Sequence, residues 1–199
     1  MEHFFVTAVK ILVLLNPCAV LSTYLALTQG ATNGERKRVV LQCGIAVMLA
    51  GTLLFFSGGI IFRLLDINPD VFRVGGGIIL LICAVSMVWG SGEREQHPEN
   101  PESNIAVVPL AIPMAVGPGT SAGLIVIGME SPTWEMRCIN LGALLLAAAT
   151  LTFMLTAGGR AERVLGRQGM AVFGKLTGLF LSAIAAKMIL DGVRGALFS

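Results

Sequence analysis

Long apolar runs separated by short polar segments dominate this chain, and their lengths predict membrane-spanning helices. The runs cover about 4–29, 39–62, 71–90, 105–129, 138–158 and 172–196. Each is continuous and roughly 20 residues or longer, as needed to cross a hydrocarbon core of about 30 Å. Strands of a membrane barrel would alternate over only about ten residues. The first run is too long for a cleavable leader, so a retained span is expected. Between the third and fourth runs lies SGEREQHPENPESN, residues 91–104, whose Pro, Glu and Asn content marks an exposed connection. The expected fold is all-α: a single membrane domain, 1–199, of six helices, three in 1–90 and three in 105–199.

Composition supports the lipid as solvent. The chain is 55% hydrophobic and 13% charged, about half the charged fraction of a soluble domain. A net charge of +2 is too weak to attract nucleic acid, and no nucleic-acid partner is expected. Lys and Arg near the span ends fall unequally. Arg36, Lys37, Arg38, Arg94, Arg160, Arg163, Arg167 and Lys175 share one side, and Arg63, Arg73, Arg137 and Arg194 the other. The richer side is expected in the cytoplasm, with both termini outside. The four cysteines have no zinc-like spacing and read as free, buried thiols.

A shift of 101 residues aligns the two halves. Pro17 falls on Pro118, Arg36 on Arg137, Gly58 on Gly159, Phe72 on Phe173, Gly77 on Gly178 and Met87 on Met188. Three spans per half would insert the halves with opposite topology, the inverted repeat of many secondary transporters.

The paired prolines are the strongest local signal. Proline lacks an N–H and clashes with the carbonyl four residues back, so helices one and four are expected to break near Pro17 and Pro118. Backbone groups freed in lipid must find partners in protein or in a water-filled cavity. Polar and small residues gather there: Asn16 before Pro17, Thr23 after it, Pro113, and the run Gly117, Pro118, Gly119, Thr120 and Ser121. A half-helix starting near Pro118 would aim free N–H groups and a positive dipole end at the membrane centre, where a carboxylate fits. The alternative for each proline alone is a tolerated kink; a proline in each half favours a site. Gly75, Gly76, Gly77 and Gly178 read as close helix packing. Lys187 falls near the middle of span six and either lines the cavity or snorkels. Every acidic residue lies in a loop or at a span end, so a coupling ion, H⁺ or Na⁺, would need carbonyl and hydroxyl oxygens. No other cofactor is expected. HExxH is absent, and Ser182 and Lys187 are five apart, a poor spacing for one helix face, so no enzyme is expected.

At these residues the chain resembles a known family. NPCAVLSTYLALT followed by ERKRVV, then RVGGGIILLICAVSM, VVPLAIPMAVGPGTSAG and GKLTGLFLSAIAAKMILDGVR, look like the MarC family of bacterial inner-membrane proteins. The resemblance covers nearly the whole chain, and PLAIP with GPG is its most specific part. It implies two inverted three-helix halves and, for some members, transport of small neutral amino acids. The family's first motif usually reads NPxGxxP, whereas Ala19 and Ser22 stand at its Gly and second Pro. The expected function is secondary transport of a small solute, foremost a neutral amino acid. Export of another small metabolite, or a non-transporting scaffold or stress-response role, is the alternative. Oligomeric state is not legible.

Overall fold

The computed structural model describes residues 2–28, 31–65, 68–89, 110–111 and 115–198. Among them the chain forms seven helices: α1 Glu2–Leu14, α2 Pro17–Leu27, α3 Asn33–Leu65, α4 Pro69–Trp89, α5 Pro118–Met129, α6 Trp134–Thr156 and α7 Gly158–Phe198. The first predicted span is a broken pair, α1 and α2, bent by 43°. α5 is the second half of the predicted fourth span, most of whose first half lies outside the described residues.

Four helices are long and apolar enough to cross a bilayer, at Asn33–Ser57, Pro69–Trp89, Trp134–Thr156 and Gly174–Leu197. The broken pair makes a fifth candidate, and α5 is a shorter apolar helix of 12 residues. Large apolar side chains also face outward, among them Leu53, Phe153, Leu179 and Leu190, each at least 60% exposed. In water that surface would be a liability; in acyl chains it is solvated.

One expectation needs correction. The segment after span five was expected to be a loop, yet α7 is 41 residues long and begins at Gly158, directly after Ala157. Residues 158–171 contain no proline and several good helix formers, so nothing ends the helix there. Charge marks where the apolar span starts, not where the helix starts.

Helix starts follow sequence-local rules. Thr32 and Glu35 form a capping box at α3: the Thr32 N–H donates to Glu35 Oε2 (2.8 Å) and the Glu35 N–H to Thr32 Oγ1 (3.4 Å). Thr133 caps α6 by accepting from the Met136 N–H at 3.3 Å. Thr32 and Thr133 are 101 apart in sequence. So are Arg36 and Arg137, and each secures the turn that precedes its helix. Arg36 Nη2 donates to the Thr28 carbonyl and Arg137 Nε to the Ser131 carbonyl, both at 3.0 Å.

The helices pack as antiparallel pairs on small residues. α4 lies along α7. A Cβ on Gly77 would sit 3.0 Å from the Ala185 carbonyl oxygen and 2.7 Å from Ile189. A Cβ on Gly178 would sit 3.1 Å from the Ala84 carbonyl oxygen and 3.0 Å from Val88. These contacts are reciprocal under the 101-residue shift: Ala84 corresponds to Ala185 and Val88 to Ile189. α3 and α6 behave alike, with Gly44 against Thr152 and Gly51 against Leu144. In lipid no water is released by helix contact, so close packing of the backbones supplies much of the attraction. The main core joins α1, α2, α3 and α6 around Ile11, Leu15, Val20, Val47, Leu144 and Leu151. A second cluster brings Leu14, at the end of α1, onto Leu80 and Ala84 of α4 and Leu181 and Ala185 of α7.

The cysteines are free, as expected, but only Cys18 and Cys43 are buried; Cys83 is half-buried and Cys138 exposed. Cys138 lies in the first turns of α6, on its outward side.

Candidate site at two helix breaks

The first break is built by Asn16 and Pro17. Proline cannot donate to the Val13 carbonyl, and that carbonyl instead accepts from the Asn16 N–H at 3.1 Å. Asn16 takes φ 50°, a left-handed conformation that asparagine tolerates better than most residues. Pro17 then occupies the first position of α2, where a missing N–H costs nothing. Asn16 also caps α2: its Oδ1 accepts from the Ala19 N–H at 3.4 Å, and its carbonyl accepts from the Val20 N–H at 3.2 Å. Its Nδ2 donates to Met87 Sδ of α4 at 3.2 Å. Cys18 Sγ lies 3.9 Å from Thr177 Oγ1 of α7. The first turn of α2 is thus wedged against both members of the α4–α7 pair.

The start of α5, where the second break is expected, is built differently among the described residues. The Val116 N–H donates to the Ala111 carbonyl, five residues back, at 2.8 Å. Gly117 is extended (φ −83°, ψ −179°) and Pro118 opens α5. No side chain caps this start. Gly119 is needed for close approach: a Cβ there would meet Leu80 at 2.7 Å from Cδ1 and 3.3 Å from Cα. Gly123, one turn on, faces Leu14 in the same way, at 2.8 Å.

The two breaks meet. Thr120 Oγ1 of α5 donates to the carbonyl of Leu14, the last residue of α1, at 2.7 Å. In an unbroken helix that carbonyl would accept from residue 18. The break frees it, and a hydroxyl 106 residues away satisfies it. This corrects the expected role of Thr120. It is only 5% exposed and its proton is committed to the backbone, so it is a clamp between the breaks and not a free donor. Ser121 is half-buried, as are Asn16, Gly117 and Thr23. Pro17 is buried and Pro118 exposed. Pro113 lies outside the described residues.

Lys187 is not part of this group. It is 70% exposed and its Nζ pairs with Asp191 Oδ2 at 3.0 Å along the outer face of α7. The inner face carries Gly178, Leu181, Ala185, Met188 and Gly192, spaced three and four apart, and position 187 falls outside that stripe. Of the two readings offered by the sequence, the outward position of Lys187 fits snorkelling. Sequence reasoning also missed residues that hold the breaks. Met87 appeared only as a repeat match, and nothing in a sequence says that an asparagine amide will rest on a thioether. Leu14, Leu80 and Thr177 carried no signal of their own.

Among the described residues no three His, Cys, Asp or Glu side chains converge to hold a metal. An open apolar groove of about 480 Å³ lies away from the breaks, between Val71, Gly75 and Ile78 of α4 and Val193, Ala196 and Leu197 of α7.

Comparison with known proteins identifies the family. The profile of MarC family integral membrane proteins matches residues 1–197. This chain belongs to the MarC family. A membrane protein of Methanocaldococcus jannaschii is 31% identical over 99% of this chain and 98% of its own. The membrane protein YvbG of Bacillus subtilis is 33% identical over 90% of this chain and 89% of its own. The inner membrane protein MarC of Citrobacter koseri is 26% identical over 93% of this chain and 91% of its own. No solved structure matches the chain significantly. The match of this MarC-family protein to its relatives thus spans both breaks and the whole helical frame.

Proposed function

We propose that this MarC-family protein is a secondary transporter of small neutral amino acids in the bacterial inner membrane. The observation that carries the reading is the junction of two helix breaks, where the end of α1 faces the start of α5 across the Thr120–Leu14 hydrogen bond. A helix C-terminus carries about half a negative charge and an N-terminus about half a positive one. A zwitterion matches such ends in charge, and admitting one requires the two ends to part. Its carboxylate would lie on the first-turn N–H groups of Gly119 and Thr120 and on the Ser121 hydroxyl. Its ammonium would take the second lone pairs of the carbonyl oxygens ending α1, which already accept from Asn16 and Thr120. Net charge in that space would stay near zero without any ionised side chain, and a charged side chain in the membrane is costly.

The same reading takes the chain as six spans in two inverted halves, 1–90 and 105–199, joined by 91–104. The reciprocal glycine contacts of α4 and α7, the threonine caps at 32 and 133 and the arginines at 36 and 137 support it, because one shift of 101 relates all of them. In this reading both termini lie outside, a coupling ion (H⁺ or Na⁺) drives the cycle, and no catalysis occurs. Uptake of labelled glycine and alanine into proteoliposomes tests the proposal. Saturable, gradient-dependent uptake above empty liposomes is expected. No uptake, and no counterflow with either substrate, would leave export of another metabolite or a scaffold role in its place.

A further inference from the structure

We propose that the Arg73–Glu130 ion pair is a latch that closes one side of this protein and has no counterpart at the repeat-related positions; the inference builds on the transport reading above. α5 runs away from the break at Pro118, and Glu130 follows its last residue, Met129. There Glu130 Oε1 accepts from Arg73 Nη2 of α4 at 3.2 Å. Arg73 is anchored from behind, because its Nη1 pairs with Asp70 one turn earlier on α4. Asp70 in turn lies against α7: a Cβ on Gly195 would sit 2.5 Å from its carboxyl carbon, and one on Gly192 would sit 2.6 Å from its backbone oxygen. The side chains of Arg73 and Asp70 are 22% and 19% exposed, that of Glu130 53%. The network is therefore a fixed socket on the α4–α7 pair and a more solvated plug on the end of the half-helix. If α5 swings from the pair to open a path to the breaks, this ion pair must part along with the apolar packing of Gly119 on Leu80.

The second half of the argument is the asymmetry. The 101-residue shift carries Glu130 to Gln29, Asp70 to Ala171 and Arg73 to Gly174. An inverted repeat puts those positions at the other membrane face, where glutamine, alanine and glycine cannot form an ion pair. The two sides would then open with unequal ease, and this latch would make its own side salt-dependent.

Cys18 reports on opening, since it is the second residue of α2 and buried beside the break. Full-length protein carrying Cys43→Ser, Cys83→Ser and Cys138→Ser would be placed in nanodiscs and treated with a small charged thiosulfonate. Glu130→Gln should speed modification of Cys18 roughly two- to fivefold, the scale of a partly exposed ion pair. In an Arg73→Gln background the same substitution should do nothing more, because partners in one pair are not additive. Raising salt from 0.05 M to 1 M should speed labelling in the parent and not in Glu130→Gln, since charges are screened within about 3 Å at 1 M. Equal rates with a flat salt response, or an undiminished Glu130→Gln effect without Arg73, would overturn the latch. If Arg73→Gln does not fold, the salt comparison of parent and Glu130→Gln decides alone. Labelling needs no substrate. Faster labelling without amino acid uptake by the parent would sink the transport reading and leave the latch, and uptake with unchanged labelling would do the reverse.

Discussion

Thr120→Val should destabilise the protein without acting on a ligand directly. Valine has nearly the shape of threonine, so packing at this 5% exposed position is kept and only the donor is lost. The Leu14 carbonyl then has no partner at the broken end of α1. An unsatisfied buried group costs about 1–3 kcal/mol. Hydrogen bonds measured in membrane proteins average about 0.6 and reach about 1.7 kcal/mol, because the denatured chain in lipid finds partners too. The helix break argues for the upper part of that range, since residue 18 is no longer placed to take the carbonyl back. We expect about 1–2 kcal/mol, which for a chain of this size is a fall in midpoint of roughly 2–8 °C. Unfolding in mixed micelles followed by circular dichroism would measure it. Thr120→Ser, which keeps the hydroxyl, should recover most of the loss. The reasoning fails if Thr120→Val unfolds like the parent while its amino acid affinity drops tenfold. That result would make the hydroxyl a ligand donor and the Leu14 bond incidental.

Asn16→Ala should cost more stability than Asn16→Gly, although both remove the cap, because a left-handed φ of 50° strains alanine by roughly 1–2 kcal/mol and glycine hardly at all; equal midpoints would refute the assigned conformation. Gly77→Val and Gly178→Val should each destabilise by about 1–3 kcal/mol and by similar amounts, since each meets the equivalent carbonyl on the facing helix; a large effect at one and none at the other, in the same unfolding assay, would break the reciprocity. Lys187→Met should leave uptake and midpoint within about twofold and about 0.5 kcal/mol, as expected of an exposed i,i+4 pair; abolished uptake would return Lys187 to the site. A cytoplasm-active reporter fused to Ser199 should stay dark if the Lys/Arg asymmetry sets topology, and a bright fusion would reverse the orientation.

Much of this protein was legible without coordinates because lipid imposes simple demands. Length and apolarity must appear in every span, so α3, α4, α6 and the later part of α7 show plainly in the sequence. Proline acts through its own ring and missing N–H, so the break at Pro17 and the start of α5 at Pro118 fall where the sequence puts them. Threonine caps are also local chemistry, and the 101-residue spacing of Gly77 and Gly178 is visible to anyone who shifts the chain, although what each meets is not. What only the tertiary structure decided is which freed group meets which donor. Thr120 looked like a ligand residue because a hydroxyl beside a helix start is one; it is a clamp because the fold brings the Leu14 carbonyl to 2.7 Å. Lys187 looked central because its depth follows from counting; it faces outward because the side of α7 that turns inward is chosen by the glycines and alanines packing on α4. Depth is a property of position along the chain, whereas facing and pairing depend on residues from dozens to more than a hundred positions away.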